Sequence, residues 1–498
     1  MSKTNIVYNV EDKPSWGKTI VFALQQLLAI LAATIAVPAI IGHGMSASAA
    51  LFGAGIGTLV YLIFTKFKSP VFLGSSFAFI GSMLAAFSGA VSAAAGYVGL
   101  IIGAGCAGLV YAIIALIVKF VGTNWISKLM PAIVIGPTVA IIGLSLAGNA
   151  VGDLLSGSFQ HAVTSEVSGF VESLDNLTLL GTPTPVDGGF YATYEVTESV
   201  VSTNTWVAFT CGLVTLFTTI AFSVYGKKMI KMIPFIFGIL AGYAVAAIFT
   251  GIGYLASNDA LKVIDFTKFA NMEWLPKFTF VEAFNGFKDF AGPGDFFSYF
   301  GTIVVAYVPV AFVVFAEHIA DHRNLGSIID RDLLKDPGLH RTLLGDGVGS
   351  FAGAFFGGCP NTTYGESVGT VAISGNASIR TIFVTAVMAL VLAFVAPFST
   401  FLSTIPSCVM GGVCIALYGF IAVSGLKMIQ SVDLGDNKNL FVVSVILIAG
   451  IGSLQLTIGK VTLTSVACAL ILGILVNTIV HIKKDKKAIE NTQEQKEE

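Results

Sequence analysis

The sequence predicts an all-α polytopic membrane protein with about 14 transmembrane segments in two inverted seven-segment repeats. Three observations carry that expectation. Of 498 residues 55% are hydrophobic and 11% charged, with a mean hydropathy of +0.84, whereas a soluble domain carries about 25% charged residues. Apolar stretches near the ~20 residues that a helix needs to cross the hydrocarbon core recur along the whole chain. Lys and Arg gather in every second connection, which is the signature of cytoplasmic loops. A net charge of −2 and a pI of 6.3 leave no basic footprint, so no nucleic-acid partner is expected.

Residues 1–17 are polar and read as a cytoplasmic tail; Lys18 leads straight into a spanning run, with no cleavable signal peptide. The first repeat occupies 18–255, with spans near 19–42, 47–65, 70–88, 94–118, 130–149, 206–225 and 231–255. An extracytoplasmic loop follows at 256–298. The second repeat, 299–482, has spans near 299–320, 340–358, 361–376, 381–398, 404–423, 439–456 and 462–482, and 483–498 is a second cytoplasmic tail. The positive charges fall at Lys66/Lys68, Lys119/Lys128, Lys227/Lys228/Lys231, Arg323/Arg331/Lys335/Arg341, Arg380, Lys427 and Lys483/Lys484. These are alternate connections, so both termini come out cytoplasmic. Between Lys128 and Lys227 acids accumulate instead: Asp153, Glu166, Glu172, Asp175, Asp187, Glu195 and Glu198. The loop 256–298, with Lys262, Lys268, Lys277 and Lys288, is the exception; its aromatic content suits the membrane surface.

The halves look related. "MPAIVIGPTVAIIGLSLAG" from 130 and "IPSCVMGGVCIALYGFIAVSG" from 405 align Pro131 with Pro406 and Gly136 with Gly411. "SPVFLGSSFAFIG" (69–81) and "CPNTTYGESVG" (359–369) each follow a proline with a polar, small-residue break. An odd number of spans per repeat inverts the halves, and breaks at matching places point to a substrate site. "GAGCAG" (103–108) matches a dinucleotide fingerprint but lies inside an apolar span, where helix packing through small residues is the reading. The six cysteines show no CxxC spacing, and neither a disulfide, a metal set nor a cofactor is expected.

Charge inside the spans is confined to the second half. "FAEHIADH" (315–322) places Glu317 and Asp321 four apart, on one face of a helix. Asp346 follows in "LLGDGVG" and Glu366 in "TTYGES". An ionisable group at the centre of a span costs about 2.5–3.5 kcal/mol. Four acids without an intramembrane Lys or Arg therefore read as a cation or proton pathway. Asp346, beside two glycines, could instead bond backbone amides where a helix breaks. Asp321, followed by His322 and Arg323, counts to a place near the cytoplasmic interface. His318 and His322 fit interfacial donors as well as proton relays, and His340 and His481 fit headgroup-level positions. Burial in a dry cavity disfavours a charged carboxyl, so such a group can gain and lose a proton in each cycle. Carboxylates accept N–H hydrogen bonds, and amides freed at the two breaks can donate to carbonyls. A flat, amide-like solute fits both.

At "RDLLKDPGLHRTLLGDG" (331–347) and "GCPNTTYGESVGTVAIS" (358–374) the chain resembles the nucleobase–ascorbate transporter family. "FLGSSFAFI" (72–80), "FAEHIADH" and "VMGGVCIALYG" (409–419) extend the likeness to about residues 18–480. The resemblance implies a core domain of spans 1–4 and 8–11, a gate domain of spans 5–7 and 12–14, and short strands in the discontinuous spans 3 and 10. It implies nucleobase import with protons across the plasma membrane, and a homodimer as the family expectation. Carried over, Glu317 and Glu366 take the ligand's N–H groups and the amides of Phe77 and Gly365 meet its carbonyls. Ala33 and Tyr364 line the pocket, and Tyr418 faces it from the gate. Glu317, Glu366, Asp321 and Asp346 are the proton-coupling candidates. The glutamate at 366 favours uracil as substrate. Asp321 stands where uracil carriers have histidine and purine carriers often have aspartate, which keeps a xanthine, urate or guanine symporter as the alternative. Two further departures are Gln25-Gln26, where the family has Gln-His, and Ser367 and Ser374, where it has Asn and Thr. An anion exchanger of the same fold would want buried positive charge, a channel would want continuous polar-faced spans, and no catalytic constellation suggests an enzyme.

Overall fold

A computed structural model of the chain describes residues 6–122, 125, 131–171, 178–179, 184–186, 189–227, 230–430, 432–458 and 461–480. Lys128, Lys228, His481, Lys483, Lys484 and the tail 483–498 lie outside the described residues, as do the side chains of Glu166, Glu172, Asp175, Asp187, Glu195 and Glu198.

In the first half come α1 (Trp16–Ile41), α2 (Ala47–Phe64), β1 (Leu73–Ser75), α3 (Ile80–Ser88) and α4 (Ala93–Val121). Then follow α5 (Ala132–Ser145), α6 (Ala147–Leu154), β2 (Gln160–Val171), β3 (Gly189–Val201), α7 (Thr205–Tyr225) and α8 (Pro234–Leu255). The second half holds α9 (Thr279–Gly286), α10 (Pro293–Ile329), α11 (Leu339–Gly357), β4 (Asn361–Thr363), α12 (Gly365–Ser374), α13 (Ile379–Ala393) and α14 (Ala396–Thr404). It ends with α15 (Ser407–Ile429), α16 (Asn437–Ile451) and α17 (Ser465–Val480). Among the described residues eight helices are long and apolar enough to cross a membrane, or nine if the bent pair α13–α14 counts as one span. The remaining apolar segments are short or broken. Helix starts follow local chemistry: Ser46 and Ser92 accept the amides of Ala49 and Ala95, satisfying N–H groups that have no helical partner.

Small residues decide which helices touch. A Cβ on Gly53 would sit 2.5 Å from Gly353 O, and one on Gly57 2.6 Å from Gly349 O, so α2 and α11 meet backbone to backbone. The GAGCAG run does the same work in α4: a Cβ on Gly108 would approach Gly347 O of α11 to 2.9 Å. Helix α11 packs on α2 and α4, which in turn pack on α13 and α10; helix α15 packs on α5, α6 and α7, and α5 also packs on α16.

The fold departs from the sequence reading in four places. The acidic stretch after α6 is not an α-helical protein's plain loop: β2 and β3 pair antiparallel from Gln160↔Val201 to Val171↔Phe190. Its Val, Thr, Tyr and Phe content suits a pleated ribbon. A second strand pair, Leu456–Ile458 with Val461–Leu463, stands where the expected spans 439–456 and 462–482 meet, so the all-α description fails there as well. Helix α10 runs to Ile329, past the expected end at 320, because His322, Leu325 and Ile329 are buried and carry the helix through a polar stretch. The span expected at 381–398 ends at Ala393 and turns by 83° into α14, where Pro397 in the first turn cannot continue the preceding ladder.

Candidate functional site

The two broken segments meet. β1 and β4 pair antiparallel, with Leu73↔Thr363, Gly74↔Thr362 and Ser75↔Asn361 in register. Their lengths, three residues each, leave backbone groups beyond the ladder, and several are taken locally. Tyr364 N donates to Phe72 O (3.2 Å), Ser76 N to Pro360 O (2.9 Å) and the Tyr364 hydroxyl to Ser75 O (2.9 Å). Gly74 is where the Tyr364 ring lies: a Cβ there would be 2.3 Å from it, so only glycine admits that packing.

Helix α12 starts directly behind β4. No side chain caps it, and its first helical bond runs from Val368 N to Tyr364 O. The amide of Gly365 therefore sits at a positive helix end, without an intrahelical acceptor. Glu366 is in this first turn and half-buried, while Gly365 is exposed. A Cβ on Gly365 would find no atom nearer than Asp321 Oδ1, at 4.0 Å, so open space separates the α12 start from α10.

Glu317 and Asp321 of α10 are both half-buried. Thr363 Oγ1 donates to Asp321 Oδ2 at 2.8 Å. Asp321 thus lies beside β4 and the start of α12, and α10 continues beyond it to Ile329. Phe77 follows β1, and its ring meets that of Tyr418 edge to face with centroids 5.8 Å apart. Ala33 of α1 is buried. A cavity of about 580 Å³ reaches Phe77 and Ala78 between α3, α5 and the start of α17; another of about 750 Å³ lies over Pro38, Lys268 and Ser403. Glu317 and Glu366 line neither.

Asp346 stands apart from this group. It is wholly buried in α11 and bonds no backbone amide; its Oδ2 is 2.7 Å from His318 Nδ1 and its Oδ1 has no partner. His318 Nε2 is 3.0 Å from Thr342 Oγ1, which is also 3.0 Å from Leu339 O. With the Thr342 hydrogen on Leu339 O, Nε2 donates and one proton lies between Nδ1 and Asp346. His322 bonds His318 O through Nδ1 (2.8 Å) and the Tyr61 hydroxyl through Nε2 (2.6 Å), and the two imidazoles stack at 4.0 Å. Both histidines are wholly buried, and their ring nitrogens bond within the protein.

Two contacts here were not read from the sequence. Gln26 Nε2 donates to Ser367 Oγ (2.6 Å), and Ser367 Oγ also accepts Phe72 N (3.0 Å), so α1, α12 and the approach to β1 share one hydroxyl. Thr363 was visible inside "TTYGES", but nothing along the chain marked its partner as Asp321.

A family model described as "Permease family" matches residues 17–181 and 189–459. The chain is 36% identical over 477 residues to the uracil permease of Bacillus caldolyticus, covering 95% of this chain and 94% of that one. It is 35% identical over 492 residues to the uracil permease of Bacillus subtilis (strain 168), covering 98% of each. Among solved structures it is similar to the transmembrane domain of the cyanobacterium bicarbonate transporter BicA, with a TM-score of 0.59 at 15% identity over 96% of this chain and 100% of that chain. At that identity the likeness is one of fold.

Proposed function

The chain belongs to this permease family of multi-pass transporters, and from that membership we propose that it is a secondary active transporter, not an enzyme, that imports uracil with protons across the plasma membrane. The observation that carries the substrate is the near full-length similarity to uracil permeases, joined to a glutamate, the half-buried Glu366, in the first turn of α12.

In this reading the carboxyls of Glu317 and Glu366 accept uracil's N–H groups, and the amides of Phe77 and Gly365 donate to its carbonyls. Ala33 and Tyr364 line the pocket, with Tyr418 closing it across Phe77. Protons ride on Glu317, Glu366 and Asp321, with Asp346 sharing one with His318. The unpaired amide at the α12 start and the open space beside Gly365 support this assignment.

The fourteen segments form two inverted repeats, 18–255 and 299–482, about the crossed pair β1–β4, with cytoplasmic termini at 1–17 and 483–498. The two groups of helices, one packed around α11 and the other around α15, support a core and a gate. A homodimer in the lipid bilayer completes the reading. The second reading, a purine symporter, draws on Asp321. Competition decides between them: uptake of radiolabelled uracil into proteoliposomes falls with excess uracil and not with xanthine or urate. Purines competing as well as uracil would transfer the assignment to the alternative.

A further inference from the structure

The segment before the first span is bonded into the protein. Val7 N and Tyr8 N both donate to Gly375 O (2.7 and 3.1 Å), Ala377 N to Tyr8 O (2.8 Å) and Ile379 N to Val10 O (3.1 Å). Ser378 Oγ donates to Asp12 O at 2.6 Å. These partners form the turn from α12 to α13. Val10, 2% exposed, belongs to one buried apolar cluster with Leu73, Leu325, Val368 and Val371, which come from β1, α10 and α12. Glu11 meets the guanidinium of Arg331, just past the end of α10, with both oxygens at 2.5 Å.

We infer that residues 7–12 are a clasp that positions the site carboxylates by pinning together the far ends of the two helices that carry them. Gly375 closes α12 and Arg331 follows α10. Asp321 lies eight residues before Ile329, and Glu366 eight before Ser374. At 1.5 Å per residue each carboxyl is about 12 Å from its pinned end. A helix transmits displacement along its axis, so the separation of the pinned ends sets the separation of Asp321 and Glu317 from Glu366. Glu11 and Val10 act through other residues and touch no substrate. They are positioning residues for the transport site, and the inference rests on the function proposed above.

Charge exchange tests it on the full-length protein, since Glu11 and Arg331 face solvent and reversal leaves the core intact. Glu11→Arg and Arg331→Glu are each expected to weaken uracil binding about three- to fivefold, the range of an exposed bidentate pair. Each also speeds amide exchange in the first turn of α12, residues 365–369. The double variant restores both to within about twofold of wild type. Single variants with wild-type affinity, or losses that the double variant leaves uncorrected, overturn the clasp. If wild-type protein binds no uracil, the proposed function fails. The exchange rates in α12 then judge the clasp alone: faster in the single variants and restored in the double upholds it, and any other pattern overturns it.

Discussion

Thr363 donates its hydroxyl hydrogen to Asp321 at 2.8 Å, and this bond joins the short strand pair to the helix that carries Glu317. Thr363→Val keeps the shape and removes the donor. A half-buried acceptor left unpaired costs about 1 kcal/mol or more, so initial uracil uptake is expected to fall severalfold in protein that still folds. Thr363→Ser keeps the hydroxyl and retains uptake. Wild-type rates in Thr363→Val would detach Asp321 from the transport cycle.

Glu366→Gln exchanges an acceptor-only carboxylate for an amide that also donates. Loss of a charge-assisted hydrogen bond costs on the order of 1.5–3 kcal/mol, more than tenfold in affinity. Calorimetry is expected to show uracil binding collapse while the thermal transition stays. Unchanged affinity removes Glu366 from the site.

His318 and Asp346 form a wholly buried pair, so cutting one partner is expected to be costly. His318→Leu leaves a carboxyl in the core with neither oxygen bonded, a loss of about 3–5 kcal/mol by comparison with broken buried pairs. The variant should express poorly or melt far lower. A His318→Leu protein as stable as wild type would mean that the pair does not hold α10 to α11.

Glu11 carries a pH dependence of its own. The Arg331 guanidinium hydrogen-bonded to it, with Lys68 also near, holds its carboxyl below the ordinary glutamate value. Its contribution to stability is therefore present above that ordinary value and disappears as the pH falls through the lowered one. The pair is largely exposed, so the effect is under about 1 kcal/mol and shrinks with salt. Melting temperatures of wild type and Glu11→Gln should differ at pH 7 and converge in acid, once the pH has fallen through the lowered carboxyl value. A gap that widens in acid contradicts this sign.

Apolar run length placed most of the helices, because a helix that must cross lipid satisfies its own backbone and announces itself by composition. The proline-led breaks at 69–81 and 359–369 were legible for the opposite reason, as polar residues where apolar ones belong. What the chain did not disclose were contacts between distant segments. His318 and Glu317 are neighbours, yet one is wholly buried against α11 and the other half-exposed, and 100° per residue alone does not say which face meets which helix. Counting hydropathy also ended α10 too early, since burial of His322 and Leu325 against neighbours is a tertiary fact. The polar start of the chain read as a tail; its bonds to Gly375 and Arg331 join residues more than 300 positions apart.

If intramembrane carboxyls couple uracil movement to protons, uptake into energised vesicles reports that coupling. Carboxyls that load a proton outside and release it to a more alkaline interior make uptake rise as external pH falls from about 7.5 to 5.5. Uptake should be abolished by a protonophore and indifferent to replacing sodium with choline. Glu317→Gln, which cannot release a proton, should lose accumulation against a gradient. Sodium-dependent uracil uptake that survives the protonophore would contradict the account, and the acids would then be cation ligands.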